Sequence, residues 1–228
     1  SPWNSPLVIV GKKDGSIRMC LDFRRLNSVT EKFSFPMPDM QLLLDCLSKS
    51  KIFTAIDLGQ AYYQVELQKD SQNNTAFSTK EGQFCFNRLP FGLSTAPATF
   101  QRLIHKMLEG LIFKGVVVYL DDILIYAESQ IDHDKLLLEV LTRIRNTGLR
   151  INPEKCSFNK TELNFIGHTV SGKGVQTNRK KISEIENAAV PECVSQLRSF
   201  LGLTNYYRRF IKKLCKDCST AIRSNIRW

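Results

Sequence analysis

Several segments of the chain are short apolar runs, rich in β-branched and aromatic residues and bounded by polar turn residues, which is typical of β-strands. Apolar runs at residues 7–10 and 17–21 flank a polar segment with Gly15, and this arrangement predicts a β-hairpin with a basic tip. Further strands are predicted at residues 51–58, within 65–91, at 116–126 as a second hairpin, and at 163–170. The pattern therefore predicts antiparallel pairs of short strands rather than long isolated ones.

Other segments repeat apolar residues at intervals of three and four, which places them on one face of a helix. One helix is predicted after Thr95, which can cap it, with Pro97 in its first turn and Gly110 at its end. Further helices are predicted after Pro38, over residues 132–147 up to Gly148, and from Val194 along an apolar stripe that continues to Leu214. Helices mixed with hairpins predict an α+β body with a small helical appendage.

The composition narrows the class of protein. Of 228 residues, 43% are apolar and 24% are charged, as in a globular protein that buries a core. No stretch approaches the roughly 18 to 20 uninterrupted apolar residues of a membrane span, so we expect no membrane partner. The seven cysteines are scattered, which favours a reduced environment over a disulfide scaffold. Because no signal peptide precedes the opening Ser1, we expect an intracellular fragment of a longer protein.

The net charge of +10 is unevenly distributed along the chain. Residues 1–172 hold 20 basic and 18 acidic side chains, whereas residues 173–228 hold 12 basic and 4 acidic ones. A strongly basic terminal segment predicts a polyanion partner. A solvated helix surface explains the same charges, and the charge pattern by itself leaves both interpretations open.

The most unusual feature of the pattern is a pair of acids, Asp121 and Asp122, inside the apolar segment 116–126. Such a pair can simply lie in an exposed turn. However, a third acid, Asp57, follows the apolar run 52–56, and if these strands are neighbours then Asp57 and Asp121 point into the same space. Carboxylates at such a short distance raise one another's pKa unless a divalent cation neutralises their charge. A site that offers only oxygen ligands favours Mg²⁺ or Mn²⁺. Two such ions in one site are typical of enzymes that catalyse in-line phosphoryl or nucleotidyl transfer.

The motifs around these acids resemble those of one enzyme family. Three surround the acids themselves: residues 53–58 (FTAIDL), 89–101 (LPFGLSTAPATFQ) and 119–122 (YLDD). Three more lie towards the ends: residues 1–6 (SPWNSP), 18–27 (RMCLDFRRLN) and 196–203 (QLRSFLGL). In this order and spacing, from residue 1 to about 214, the chain resembles a reverse transcriptase of the gypsy-type LTR retrotransposon and retroviral family.

The resemblance implies a fold and an activity. The fold is a right-hand polymerase of the α+β class, with fingers, a ferredoxin-like palm sheet and a partial helical thumb. The implied domains are fingers at 1–34 and 65–95, palm at 35–64 and 96–172, and a truncated thumb at 173–228, without connection or RNase H domains. The implied activity is RNA-directed DNA polymerase, which adds deoxynucleoside triphosphates to a primer on an RNA or DNA template. The chain would be part of a polyprotein in the cytoplasm, in a particle or in the nucleus.

The resemblance also assigns the catalytic groups. Asp57, Asp121 and Asp122 would bind two Mg²⁺ ions, which Mn²⁺ can replace, and the carbonyl oxygen of Leu58 would be a further ligand. Lys155 matches the lysine proposed to protonate the pyrophosphate leaving group. Without the resemblance, Lys155 is an unremarkable surface lysine.

The implied substrate contacts come from several motifs. The nucleotide-binding set is Lys12 or Lys13, Arg18, Tyr62, Phe91 and Gly92. Tyr62 matches the aromatic residue that stacks under the sugar and excludes a 2′-hydroxyl, although core packing beside Tyr63 is the simpler interpretation without the resemblance. The primer and template set is Tyr119, Phe165, Ile166, Gly167, Arg198, Arg208, Arg209, Lys212 and Lys213. Within it, residues 165–167 match the hairpin that grips the primer end.

Some positions depart from the family pattern. Gly11 stands where relatives often carry a basic residue, so one phosphate contact is expected to be missing. Cys215 and Cys218 form a single pair without a second pair or a nearby histidine, which does not predict a zinc site. A catalytically inactive remnant that only binds nucleic acid, and a relic without function, are the alternatives to an active polymerase core.

Overall fold

The hairpins and helices follow one another in the predicted order. The structure is a computed structural model that describes residues 1–11, 15, 17–36, 38–207 and 210, without the side chains of residues 18, 179–181 and 184. The strands are β1 (Leu7–Gly11), β2 (Ile17–Leu21), β3 (Ile52–Asp57), β4 (Phe77–Thr79), β5 (Gly82–Phe84), β6 (Val116–Tyr119), β7 (Asp122–Ala127), β8 (Ser157–Lys160), β9 (Glu162–Phe165), β10 (His168–Ser171) and β11 (Gly174–Thr177). The helices are α1 (Arg24–Val29), α2 (Met40–Cys46), α3 (Lys69–Gln72), α4 (Ala96–Met107), α5 (Gln130–Thr147), α6 (Arg179–Glu186) and α7 (Val194–Tyr206), with 3₁₀ turns at Ala61–Gln64 and Asn73–Thr75.

The central sheet has the strand order β6-β7-β3-β8, and all of its pairs are antiparallel. Along the chain these strands alternate with two helices as β3-α4-β6-β7-α5-β8. This βαββαβ connectivity with that strand order is the ferredoxin-like arrangement. The ferredoxin-like sheet expected from the sequence is therefore confirmed.

Both faces of the central sheet are covered, which explains the unbroken apolar run at residues 116–118. Val116 and Val118 belong to the core cluster on the face of α4 and α5, where they pack with residues such as Phe100 and Val140. Val117 belongs to a second cluster with residues of α2, β9 and β10. Successive side chains of a strand point to opposite faces, so a strand buried on both faces is apolar throughout.

The first hairpin pairs Leu7 with Leu21 and Gly11 with Ile17. Its apolar side chains are largely exposed, and Ile9 and Ile17 are 62% and 68% exposed. The predicted hairpin is confirmed. Within 65–91 the strands β4 and β5 are also confirmed, but α3 and the 3₁₀ turn beside it were not predicted.

One predicted helix boundary is confirmed and another differs from the prediction. Thr95 lies at the N-cap of α4, as predicted, but its side chain makes no capping hydrogen bond. Helix α7 ends at Tyr206, whereas the prediction continues the helix to Leu214. Its C-cap is Tyr207, at φ −102° and ψ 15°, and of the residues that follow up to Leu214 only Phe210 is described. None of the described helices is long and apolar enough to cross a membrane.

Candidate active site

The turn between β6 and β7 carries the predicted acid pair. Tyr119 lies opposite Asp122, so Leu120 and Asp121 form the two-residue connection of a tight hairpin. Leu120 has a φ of 53°, in the left-handed region that a non-glycine residue rarely adopts. Contacts from outside the turn must stabilise this conformation.

Gln101 of α4 supplies those contacts. Its Oε1 accepts a hydrogen bond of 3.0 Å from the backbone N–H of Leu120, and its Nε2 donates to the carbonyl oxygen of Val118 at 3.4 Å. The side chain of Gln101 is fully buried. Our sequence analysis assigned no role to this residue. A signal existed, because its spacing from Ile104 and Leu108 places a polar amide on the buried face of the helix.

The third acid lies on the neighbouring strand. Asp57 ends β3 directly opposite Asp122 of β7. Residues opposite one another in an antiparallel pair have side chains on the same face of the sheet. The condition that these strands are neighbours is therefore met, and the pairing brings Asp57 to the hairpin that carries Asp121.

The carboxylates repel one another in a partly dry site. Burial raises the pKa of Asp121, and the charges of Asp122 and Asp57 raise it further. The pKa of Asp122 is also raised, by partial desolvation and by Asp57, although its side chain remains exposed. Among the described residues, Oδ1 of Asp121 is buried without a hydrogen-bond partner. A buried carboxylate oxygen without a partner is unfavourable unless a proton or a cation compensates it.

A cavity of about 390 Å³ opens above these acids. Its lining includes Asp57, Leu58, Asp121 and Lys155, together with residues of β2. The turn that carries Lys155 is anchored to β3, because the N–H of Asn152 donates to the carbonyl oxygen of Asp57 at 2.9 Å. Two predicted catalytic carboxylates and the predicted lysine thus share one cavity, and Asp122 lies beside it.

The described residues do not form a closed metal cage. Among them, no three His, Cys, Asp or Glu side chains are grouped so that they could enclose an ion. The carboxylates of Asp57 and Asp121 and the carbonyl oxygen of Leu58 are still a donor set of the kind that Mg²⁺ prefers. Mg²⁺ is usually bound by one or two carboxylates together with waters and substrate phosphates, so these residues fit such an ion.

The two neighbouring tyrosines have different surroundings. Tyr62 is only 9% exposed and packs in the core against Phe100 and Phe91, with ring centroids 5.6 and 4.8 Å away. Burial raises its pKa, and the charge of Asp121 adds to the shift, so its hydroxyl lies within the electrostatic reach of that carboxylate. Tyr63 and Phe91 line the cavity itself. Tyr63 was considered in the sequence only as a packing partner.

Gly92 lies where two segments approach closely. Its φ is 97°, and a Cβ atom there would come within 3.3 Å of the Phe23 ring. Asn27 ties the same segment down, because its Nδ2 donates to the carbonyl oxygen of Gly92 at 2.9 Å and its Oδ1 accepts from the N–H of Ser94 at 2.8 Å. The backbone conformation and the close approach of Phe23 therefore favour glycine at position 92, independently of any contact with a nucleotide.

The residues matched to a primer grip lie between β9 and β10. Phe165 is buried in the core cluster that also contains Val117, and Ile166 and Gly167 form the connecting turn. Tyr119 and Ile166 both pack against this cluster, so the turn and the acid hairpin share one packed region. The other predicted contact, Arg198, is exposed on α7.

Several predicted contact residues cannot be placed. Arg18 lies in β2 opposite Val10, and its side chain is not described. The remaining predicted cations lie outside the described residues, namely Lys12, Lys13, Arg208, Arg209, Lys212 and Lys213. Their roles remain predictions.

Comparison with known proteins gives the family. The family model described as reverse transcriptase (RNA-dependent DNA polymerase) matches residues 10–170. The chain is 42% identical over 216 residues to the retrovirus-related Pol polyprotein from transposon 297 of Drosophila melanogaster, covering 92% of this chain and 20% of that protein. It is 38% identical over 218 residues to the Pol polyprotein from transposon gypsy of the same organism, covering 93% and 21%. The chain thus spans about a fifth of the length of these relatives.

Solved structures give the same result for the fold. A foamy viral protease-reverse transcriptase in complex with dsDNA superposes with a TM-score of 0.87 at 28% identity, over 97% of this chain and 47% of that one. A foamy viral protease-reverse transcriptase in complex with an RNA/DNA hybrid superposes with a TM-score of 0.79 at 29% identity, over 90% and 27%. The predicted α+β polymerase fold is confirmed. Together with the family match, these likenesses show that the chain belongs to the reverse transcriptase family.

Proposed function

We propose that this chain is the polymerase core of a retrotransposon reverse transcriptase and that it extends a primer on an RNA or DNA template with deoxynucleoside triphosphates. One observation carries the proposal. Asp57 lies opposite Asp122 on adjacent strands, and next to them the buried, unpartnered oxygen of Asp121 belongs to a carboxylate that lines a 390 Å³ cavity. A site of this size with convergent carboxylates suits a nucleotide with its metal ions.

Two divalent cations would be held by Asp57, Asp121 and the carbonyl oxygen of Leu58, with Asp122 beside them. When bound, such ions activate the primer hydroxyl and neutralise charge on the phosphates. The protein itself must keep the carboxylates together despite their repulsion. The register of β3 with β7 holds Asp57 opposite Asp122, and the hydrogen bonds of Gln101 hold the turn that carries Asp121. Raised carboxylate pKa values in the protein without cations support this role, because a cation would remove the repulsion.

The other residues around the cavity would orient the substrate. Lys155 lines the same cavity as Asp57 and Asp121, and this proximity supports a role for it as the proton donor to the leaving pyrophosphate. Tyr62 would act as the sugar gate, with Phe91 and Gly92 bordering the nucleotide. Phosphoryl transfer needs positioning and charge stabilisation more than covalent help from the protein.

The nucleic acid would lie across the sheet towards the basic segment 173–228. The solved relatives bind dsDNA or an RNA/DNA hybrid, and transferring that property to this chain is part of the proposal. The domain limits remain as we inferred them from the sequence, with fingers at 1–34 and 65–95, palm at 35–64 and 96–172, and thumb from 173.

Primer extension tests the proposal. The parent chain should extend a DNA primer on an RNA template with Mg²⁺ or Mn²⁺, because all three carboxylates are in place. Asp121→Asn should abolish extension, since an amide is a poor ligand for these ions. Asp70→Asn is the matched control, because Asp70 is an exposed aspartate of α3. A parent chain that binds the duplex without extending it would instead support an inactive nucleic-acid-binding remnant.

A further inference from the structure

The turn between β9 and β10 has an unusual backbone. Phe165 pairs with His168, so Ile166 and Gly167 form a two-residue connection with φ values of 46° and 71°. Two successive residues at positive φ are common in tight hairpins, but a β-branched residue such as Ile166 is disfavoured there. The turn therefore depends on contacts from other parts of the chain.

Three side chains bind the two carbonyl groups of this turn. The hydroxyl of Tyr206 donates to the carbonyl oxygen of Ile166 at 2.6 Å, and the hydroxyl of Tyr207 donates to that of Gly167 at 3.1 Å. His168 approaches the Ile166 carbonyl with Nδ1 at 2.9 Å, and because a carbonyl only accepts, Nδ1 carries the proton. Both tyrosines belong to the end of α7, far from the turn in sequence.

The rings of these residues pack together as well. The ring centroid of His168 lies 5.4 Å from Tyr206 and 5.5 Å from Tyr207, and the two tyrosine rings are 4.8 Å apart. A Cβ atom on Gly167 would come within 3.1 Å of the Tyr207 hydroxyl, so the glycine leaves room for that oxygen. The end of α7 and the turn are thus fitted to each other by packing and by hydrogen bonds.

This cluster lies next to the acid hairpin. The pKa of Tyr206 is raised by burial and then by the neighbouring Tyr207 and Tyr119 hydroxyls, so Tyr206 is within electrostatic reach of the residue opposite Asp122. Tyr119 and Ile166 also pack against the same core cluster. A displacement of the turn would therefore act close to the catalytic aspartates.

We propose that Tyr206 and Tyr207 are positioning residues, whose hydroxyls hold the Ile166–Gly167 turn and thereby place the primer 3′ end against Asp57 and Asp121. The inference rests on the proposed function and on the sequence resemblance that matches residues 165–167 to the hairpin that meets the primer end. It also gives the end of α7 a role, since the next two residues in the sequence, Arg208 and Arg209, are predicted duplex contacts. Binding of the duplex there would be coupled to the turn through the two tyrosines.

The test removes both hydroxyls and keeps the rings, as Tyr206→Phe with Tyr207→Phe. The control is Tyr126→Phe, which removes the hydroxyl of another buried tyrosine, one near Gly115 and Cys46 in the core. Single-nucleotide incorporation is measured at saturating primer-template to obtain the maximal rate, the nucleotide Kd and the burst amplitude. Because a misplacement of 1 Å can cost ~10²-fold, a partly released turn should lower the maximal rate about tenfold.

The pattern of constants distinguishes positioning from general damage. We expect the lower rate with an unchanged nucleotide Kd and an unchanged burst amplitude, whereas loss of folded protein would lower the amplitude. Tyr207→Phe alone should show part of the effect if the double variant fails to fold. Parental rates in the variants, or a loss confined to the amplitude, would overturn the inference while leaving the proposed function intact. A parent chain that incorporates no nucleotide would refute the proposed function and this inference with it.

Discussion

Replacing Gln101 by Met tests whether the strained turn at Leu120 positions Asp121. The substitution keeps a long unbranched side chain with high helix propensity, so α4 and the surrounding packing should persist. It removes the acceptor of the 3.0 Å hydrogen bond from the Leu120 N–H and the donor to the Val118 carbonyl oxygen. The Leu120 backbone, at a φ of 53°, then lacks this support.

The size of the effect follows from these contacts. One lost hydrogen bond has a net cost of about 1 kcal/mol, and a partly buried N–H without a partner costs up to about 3 kcal/mol. Keeping a non-glycine residue in the left-handed region costs roughly 1–2 kcal/mol. The turn of the variant therefore lowers its free energy when Leu120 leaves that region. A shift of 1 to 3 kcal/mol changes the equilibrium constant between the active and the relaxed turn by about fivefold to 150-fold, and the occupancy of the active conformation falls by up to that factor.

Single-turnover incorporation and urea unfolding measure the two consequences separately. We expect the incorporation rate to fall within that range, and the free energy of unfolding to fall by about 1–2 kcal/mol because the turn can relax. Gln72→Met is the control, since it removes a half-buried amide whose Nε2 donates to the carbonyl oxygen of Leu67 at 3.2 Å.

The reasoning fails if Gln101→Met incorporates nucleotides at the parental rate. A lower free energy of unfolding with a parental rate would show that Gln101 only stabilises the fold. An equal loss of rate in Gln72→Met would show that removing any half-buried glutamine amide lowers the incorporation rate, whatever its distance from the turn.

Three further outcomes are expected. The pKa of Asp121 is raised above its ordinary value of 3.8, so the folded state binds more protons and the chain without cations loses stability as the pH rises above that value. Asp121→Asn should therefore raise the free energy of unfolding at neutral pH and not in acid, and equal urea midpoints at neutral pH would contradict this. Tyr62→Val should admit ribonucleotides while deoxynucleotide addition persists, and the same change in Tyr63→Val alone would move the gate to Tyr63. Replacing Arg208, Arg209, Lys212 and Lys213 by Gln should weaken duplex binding equally for all sequences. The slope of log K against log salt concentration should become shallower by roughly 0.9 per lost phosphate contact. Unchanged binding at every salt concentration would show that the thumb does not hold the duplex.

The positions of the hairpins and most helices could be predicted because their signals are local. The two arms rich in β-branched and aromatic residues at 116–126, with Asp121 and Asp122 between them, were enough to place β6, β7 and the turn. Which residues lie near Asp57 depends on which strands pair, and no local pattern determines strand pairing. The sequence therefore predicted that Asp57 and Asp121 are close only if their strands are neighbours, and the structure shows that β3 pairs with β7.

Other parts of the site could not be predicted for physical reasons. Leu120 and Ile166 both adopt positive φ, and neither residue type signals that conformation. Helix α7 ends just before Tyr207, whose hydroxyl donates to the carbonyl oxygen of Gly167, forty positions away in the sequence. Its apolar ring satisfies the helical stripe equally well, so periodicity alone extends the helix too far. Gln101 is different, since its position on a buried face was visible in the sequence.

The most direct test of the account is the location of divalent cations in a complex with primer-template and a non-hydrolysable nucleotide. Anomalous diffraction from Mn²⁺ should show two peaks about 3.5–4 Å apart, bridged by Asp57 and Asp121, with the triphosphate in the cavity. The same peaks should be absent in Asp121→Asn crystals. Mn²⁺ bound elsewhere, or a nucleotide outside the cavity while Asp57 and Asp121 contact no ion, would contradict the central claim.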